Sequence, residues 1–166
     1  MTIRTTTLPS PLGPLRLTDH GRGLSGLYFA EHRHAPSPEG WQEDAGPFET
    51  ALAQLRAYLE GRHTDLDLPL DLRGTELQRE VWSALRAIPF GEVTTYGEVA
   101  RRVGRPSSAR AVAAAIGRNP VAIVVPCHRV VAADGALTGY AGGLDRKRWL
   151  LHHEGAAAVS SAPRPG

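Results

Sequence analysis

The sequence predicts an α+β protein in two parts. A small N-terminal α/β domain covers residues 1–71, a mostly helical C-terminal domain covers 72–155, and a disordered tail covers 156–166. Three observations carry this reading. Short apolar runs bounded by glycine and proline fill the first 30 residues, whereas apolar residues recur at helical spacing after residue 74. The charge balance changes sign at the same point: residues 1–71 carry 6 basic and 10 acidic side chains, residues 72–155 carry 12 and 7. The last stretch is almost entirely alanine, serine, proline and glycine, with no apolar period to bury.

In chain order, Ile3–Leu8, Leu15–Thr18 and Leu24–Phe29 read as strands, separated by Pro-Leu-Gly-Pro and His-Gly-Arg-Gly turns. Residues 31–47 are polar and rich in proline and glycine, and read as a loop. Phe48, Leu52, Leu55 and Leu59 share one helical face, with Gly61 as the stop. Leu68–Leu70 is a candidate last strand. Thr75 and Gln78 form a capping box, opening a helix with a Leu77, Val81, Leu85, Ile88 stripe. Thr95 and Glu98 repeat the pattern for a short helix through Val103. After a Gly-Arg-Pro turn, Ser107 or Ser108 caps an alanine-rich helix that Gly117 ends. Two short helices about a glycine turn make a helix-turn-helix pattern, and Arg101, Arg102, Arg105, Arg110 and Arg118 surround it. Val121–Val125 reads as a buried strand, Gly139–Gly143 as a flexible loop, and Leu144–His153 as a final helix.

Composition sets limits on function. A chain of 166 residues buries roughly 70% of its unfolded surface, enough for a core without metals or cross-links. No apolar run approaches the ~18 residues of a membrane span. The opening residues lack a signal-peptide core, so the cytoplasm is the expected compartment. The single cysteine, Cys127, excludes an intrachain disulfide, a CxxC redox pair and a cysteine-rich zinc site. His32-x-His34 is too sparse to count as a metal site, and no metal is expected. A basic C-terminal half suggests a polyanionic partner.

A lone cysteine is more often a small buried hydrophobe than a nucleophile. Cys127, however, is followed directly by His128 and Arg129 at the end of an apolar run, and a nearby base or cation lowers a thiol pKa. Neighbours on a strand point to opposite faces, so His128 would need a bend or a water bridge to serve the sulfur.

The segment PCHRV at 126–130 resembles the active-site motif of the O6-alkylguanine-DNA alkyltransferases, the methylated-DNA–protein-cysteine methyltransferases. GTELQREVWSALRAIPFGEVTTYGEVA, SSARAVAAAIGRNP and PCHRVVAADGALTGYAGGLDRKRWLLHHEG resemble that family in order and spacing, over residues 72–155. SPLGPLRLT and GLSGLYF resemble its first domain.

The resemblance implies a ribonuclease H-like first domain and a winged-helix-like second domain. It implies DNA repair: irreversible, single-turnover transfer of an O6-alkyl group from guanine to Cys127, with no cofactor. The partner would be double-stranded DNA, read in the minor groove with the damaged base flipped out. No membrane partner is expected, and the protein would act as a monomer. His128 would be the base and Glu154 would orient it. Arg110 would fill the gap left by the flipped base, and Tyr96 would sit beside the extrahelical nucleotide. Ser107, Ala109, Ala113 and Arg129 would contact DNA. Asn119 would tie the turn after the recognition helix to the active-site segment. Backbone at Val130 and Ala141 would read the guanine, with Tyr140 and Lys147 beside the leaving base. The sequence leaves open the preferred alkyl group and any action on O4-alkylthymine.

Two other functions fit parts of the pattern. A DNA-binding module would use the helix-turn-helix and leave Cys127 inert. A cysteine hydrolase would use Cys127, His128 and Glu154 and turn over repeatedly.

Overall fold

The computed structural model describes residues 2–156. The expected tail therefore lies, from residue 157 onward, outside the described residues. The chain divides into two compact units. One ends at Arg73 and takes back Pro120–Val124; the other comprises Gly74–Asn119 and resumes at Val125.

The first unit is built on a sheet in the order β3-β2-β1-β4. Strands β1 (Arg4–Leu8), β2 (Leu15–Asp19) and β3 (Leu24–Tyr28) form an antiparallel meander, with Leu8 opposite Leu15 and Leu17 opposite Leu27. Leu8, Leu15, Leu17, Leu24 and Leu27 are buried, which fixes this register. The turn before β3 requires glycine at position 23. Its φ is +122°, and a Cβ there would stand 2.8 Å from the Pro69 carbonyl oxygen.

Residues 31–47 are mostly irregular, as expected, but two residues pair parallel to β1 as β4 (Gln42–Glu43). Helix α1 (Glu49–Leu59) follows. Its buried face runs through Phe48, Ala51, Leu55 and Tyr58. Leu52 and Leu59, expected on that face, are only half-buried; the Tyr58 ring rather than Leu59 fills the core. Leu68–Leu70 forms no strand, only a single bridge from Leu70 to Leu24.

The second unit is mostly helical. Helix α2 (Glu76–Arg86) opens with the expected capping box: Gln78 N–H donates to Thr75 Oγ1 at 3.1 Å, and Thr75 N–H to Gln78 Oε1 at 3.0 Å. Val81, Trp82, Leu85 and Ile88 are buried, while Leu77 is half-buried. The Trp82 indole N–H donates to the Ala115 carbonyl at 2.8 Å, satisfying a buried donor across the helix packing.

Two residues form β5 (Thr94–Thr95), parallel to β6 (Val130–Val131). Helix α3 (Tyr96–Arg102) starts on the Thr95 hydroxyl, which accepts from Glu98 N–H at 3.1 Å. The reciprocal half of this second expected capping box does not form, because the Glu98 carboxylate turns to Arg101 and Arg102. Helix α4 (Ala109–Gly117) includes Gly117 as its last residue. Ser108 occupies its N-cap position without a side-chain bond, so neither serine caps as expected. Helix α5 (Leu144–His153) follows the glycine loop.

The predicted strand over Val121–Val125 does not form. All five residues are buried, but only Val121 bridges to Leu27. Ile123 adopts φ +71°, a left-handed conformation that breaks any ladder and that β-branched residues rarely take. This apolar run packs as a turn in the first unit, then the chain returns to the second.

Candidate active site

Cys127 stands at the start of a 3-10 turn, Cys127–Arg129, between Pro126 and β6. Its N–H donates to the Val125 carbonyl at 2.8 Å, and Arg129 N–H closes the turn on the Pro126 carbonyl at 3.0 Å. At three residues per turn, consecutive side chains leave the axis about 120° apart. The turn takes these side chains out of the strict alternation of a strand. Cys127 turns toward Asn119, while His128 and Arg129 both reach Glu154.

The Cys127 sulfur goes to Asn119. Asn119 Nδ2 donates to the Val125 carbonyl at 2.7 Å and reaches the sulfur at 3.1 Å. Asn119 follows α4, and its own N–H is held by the Ile116 carbonyl at 3.2 Å. Cys127 is 7% exposed. Burial pushes its thiol pKa up; the Asn119 hydrogen bond, the Lys147 charge and the Tyr140 hydroxyl oppose that rise.

His128 goes to Glu154. Its Nε2 lies 2.9 Å from Glu154 Oε2, with both side chains fully buried. Burial pushes the His128 pKa down, and the nearby Arg129 and Lys147 charges add to this; Glu154 only partly offsets it. Burial alone would raise the Glu154 carboxyl, but bonds from His128 and Arg129 hold it well below the usual carboxylate range. An ionised Glu154 can only accept, so Nε2 carries the proton of a neutral ring. Nδ1 is then a lone-pair base. It is buried and without a hydrogen-bond partner among the described residues.

Arg129 also goes to Glu154. Its Nε donates to Oε1 at 2.8 Å and Nη2 to Oε2 at 2.9 Å, while Nη1 donates to the Ile88 carbonyl at 2.6 Å. Expected against DNA, Arg129 is instead buried, with its guanidinium committed inside the protein. A guanidinium fork matches a carboxylate in this way, and a carboxylate at the end of α5 needs such a cation against the helix dipole.

Lys147 of α5 is fully buried. Its Nζ donates to the Thr138 carbonyl at 3.0 Å and the Gly139 carbonyl at 3.2 Å. Burial lowers its pKa to about 8, even though the Cys127 thiolate favours its charged form. Tyr96, at the start of α3, donates its hydroxyl to the same Thr138 carbonyl at 3.1 Å. Val130 is buried in β6; Tyr140 and Ala141 are half-exposed in the loop, whose Gly139 and Gly143 adopt φ +46° and +90°.

The remaining candidates lie on the helix-turn-helix. Ser107, Ala109 and Arg110 are exposed and Ala113 is half-buried. Arg110 and Arg118 make no ion pair among the described residues. His32 braces its own loop: Nδ1 accepts from Phe29 N–H at 3.3 Å and the ring stacks on Phe29.

Comparison with known proteins covers both units. Residues 3–72 match the model for the 6-O-methylguanine DNA methyltransferase ribonuclease-like domain, and residues 76–156 the model for its DNA binding domain. A methylated-DNA–protein-cysteine methyltransferase of Mycobacterium tuberculosis is 52% identical over 148 residues, 89% of this chain and 90% of that one. One from Methanosarcina acetivorans is 47% identical over 147 residues, 88% and 94% of the two chains. The crystal structure of Mycobacterium tuberculosis OGT in complex with DNA superposes with a TM-score of 0.88 at 49% identity, covering 95% of this chain and 96% of that one.

Proposed function

The chain belongs to the 6-O-methylguanine DNA methyltransferase family, and from that premise we propose the following chemistry for its residues. The protein repairs DNA by moving the alkyl group from O6 of guanine to its own cysteine. Cys127 is the only cysteine in the chain, so it is the acceptor. That single observation carries the assignment.

The thiolate sulfur attacks the saturated alkyl carbon. A carbon–sulfur bond forms, the carbon–O6 bond breaks, and guanine leaves with the electron pair and takes up a proton. His128 Nδ1 removes the thiol proton through a bridging water, and Glu154 holds the imidazolium that results. Arg129 holds Glu154. Asn119 and Lys147 stabilise the thiolate: the first by a hydrogen bond, the second by charge. Lys147 and Tyr140 also face the departing base. The nucleophile and base come from the chain and the alkyl donor from DNA, so no cofactor enters the balance. The product is a thioether, and each chain reacts once.

Residues 72–155, apart from the Pro120–Val124 turn that packs in the first unit, form the DNA-binding and alkyl-acceptor domain, and residues 1–71 the ribonuclease-like one. The helix-turn-helix docks on duplex DNA, Arg110 enters the stack in place of the flipped guanine, and Tyr96 turns to the extrahelical nucleotide. Ser107, Ala109 and Ala113 allow close approach to the backbone. Val130 and Ala141 read the base through their backbones. No helix among the described residues is long and apolar enough to cross a membrane. A thiol that must stay reduced to react supports a cytoplasmic protein.

Digesting a lesion-bearing duplex after incubation tests the reading. O6-methylguanine should fall and unmodified guanine rise by the same amount. Loss of the whole base would instead mean glycosidic cleavage and would overturn alkyl transfer.

A further inference from the structure

The basic residues of the helix-turn-helix fall into two electrostatic classes. On α3, Glu98 accepts from Arg101 through Nε at 3.0 Å and also through Nη2. The other Glu98 oxygen takes Arg102 Nε at 3.4 Å. In the turn, Arg105 pairs with Glu80 of α2 at 3.5 Å. Arg110 and Arg118, on and just after α4, have no such partner among the described residues. Arg101 is folded back along its helix: its Nη1 lies 3.9 Å from where a Gly97 Cβ would stand, beside Tyr96 at the proposed nucleotide-facing end. The Glu98 carboxyl is held below its ordinary pKa by Arg101 and then Arg102, so it stays ionised.

We propose that Glu98 restrains Arg101 and Arg102 from the DNA phosphates and so limits affinity for undamaged duplex, making it a specificity-determining residue of the repair reaction. The inference rests on the DNA-repair reading above. A guanidinium binds carboxylate and phosphate through the same fork, so the internal carboxylate competes directly with the DNA backbone. Each phosphate contact withheld also removes one released counterion. A protein that must sample a large excess of undamaged DNA gains from weak general binding, with lesion recognition left to the flipped base.

Glu98→Gln tests this while keeping side-chain length and the backbone cap on Thr95. Binding to an undamaged duplex would be followed by fluorescence anisotropy from 50 to 200 mM salt. The variant should bind more tightly at low salt, and each added phosphate contact should make affinity fall about threefold more across that range. Repair of a lesion duplex in excess undamaged competitor should slow, while reaction with free O6-benzylguanine should not change. Adding Arg101→Ala and Arg102→Ala should abolish the gain. Arg102→Ala in the otherwise unaltered protein should shift affinity by less than about twofold, because Glu98 stays paired with Arg101 and the arginine removed was held off the phosphates; a larger loss would overturn the proposal. That arm stands even where Glu98→Gln fails to fold. Unchanged affinity and salt slope in Glu98→Gln would overturn the proposal, as would a gain that survives loss of both arginines. Failure of alkyl transfer itself shows separately, as an unaltered lesion in the digest.

Discussion

One nitrogen of Asn119 serves both the Val125 carbonyl at 2.7 Å and the Cys127 sulfur at 3.1 Å. The residue thus joins the end of α4 to the nucleophile, fixing its position and lowering the cost of its charged form. Asn119→Ala removes one of the two donors to the Val125 carbonyl, the other being the Cys127 N–H, and should cost about 0.5–1.5 kcal/mol of stability. It should also raise the apparent pKa read from the pH dependence of iodoacetamide reaction at Cys127. An unchanged pKa with lowered stability would leave Asn119 a purely structural tie.

Arg129 is the cation that permits an ionised Glu154 inside the protein. Arg129→Ala strands that carboxylate and should destabilise the fold by about 3–5 kcal/mol in urea unfolding, the usual cost of breaking a buried pair. Arg129→Lys keeps a charge but loses the fork, and should fall between. The salt dependence of DNA binding should be the same for folded Arg129→Lys and the parent protein. A shallower slope would put Arg129 back among the phosphate contacts.

The same cluster sets a pH dependence of stability. His128 has a native pKa below its ordinary 6.5, so as pH falls through 6.5 the unfolded chain binds a proton that the native protein does not. Glu154 has a native pKa below its ordinary 4.5, and its contribution is present above that pH and lost as pH falls further. Both lower stability on acidification, in two successive windows. The urea midpoint should therefore decline below about pH 6.5, and His128→Gln should flatten that first window only. A midpoint that rises as pH falls from 7 to 5 would contradict a buried neutral His128.

Arg110 is exposed, and no carboxylate pairs with it among the described residues, which suits the proposed intercalating role. Arg110→Ala should slow repair of a lesion in duplex DNA roughly tenfold or more, since unstacking costs a few kcal/mol and each 1.36 kcal/mol is a factor of ten in rate. Reaction with free O6-benzylguanine, which needs no flipping, should change little. Equal losses on both substrates would remove the intercalating role.

Much of this site was legible because it sits in local patterns. The Thr75–Gln78 box, the helix-turn-helix spacing and the Pro126-Cys127-His128-Arg129 run are all read within a few residues. The errors came where tertiary context overrode local pattern. Val121–Val125 is as apolar as a buried strand, but nothing in its composition announces a left-handed Ile123 or a return to the first unit. Arg129 looks like one more basic residue beside a DNA-binding motif. Only the approach of Glu154 and the Ile88 carbonyl, from 25 and 41 residues away, reveals it as a buried clamp. The parallel pairing of Thr94–Thr95 with Val130–Val131 spans two residues a side, too short to leave any period. Thr95 and Glu98 have the spacing of a capping box, but the Glu98 carboxylate is taken by two arginines within its own helix.

Cys127 is the single-use alkyl acceptor of the repair reaction. The most direct test of that assignment is the intact mass of the protein after incubation with excess duplex carrying O6-methylguanine, followed by peptide mapping. Each chain should gain one methyl group, located on Cys127, with no further change however long the incubation. An unmodified chain that still binds the lesion, or one that consumes many lesions without gaining mass, would contradict it.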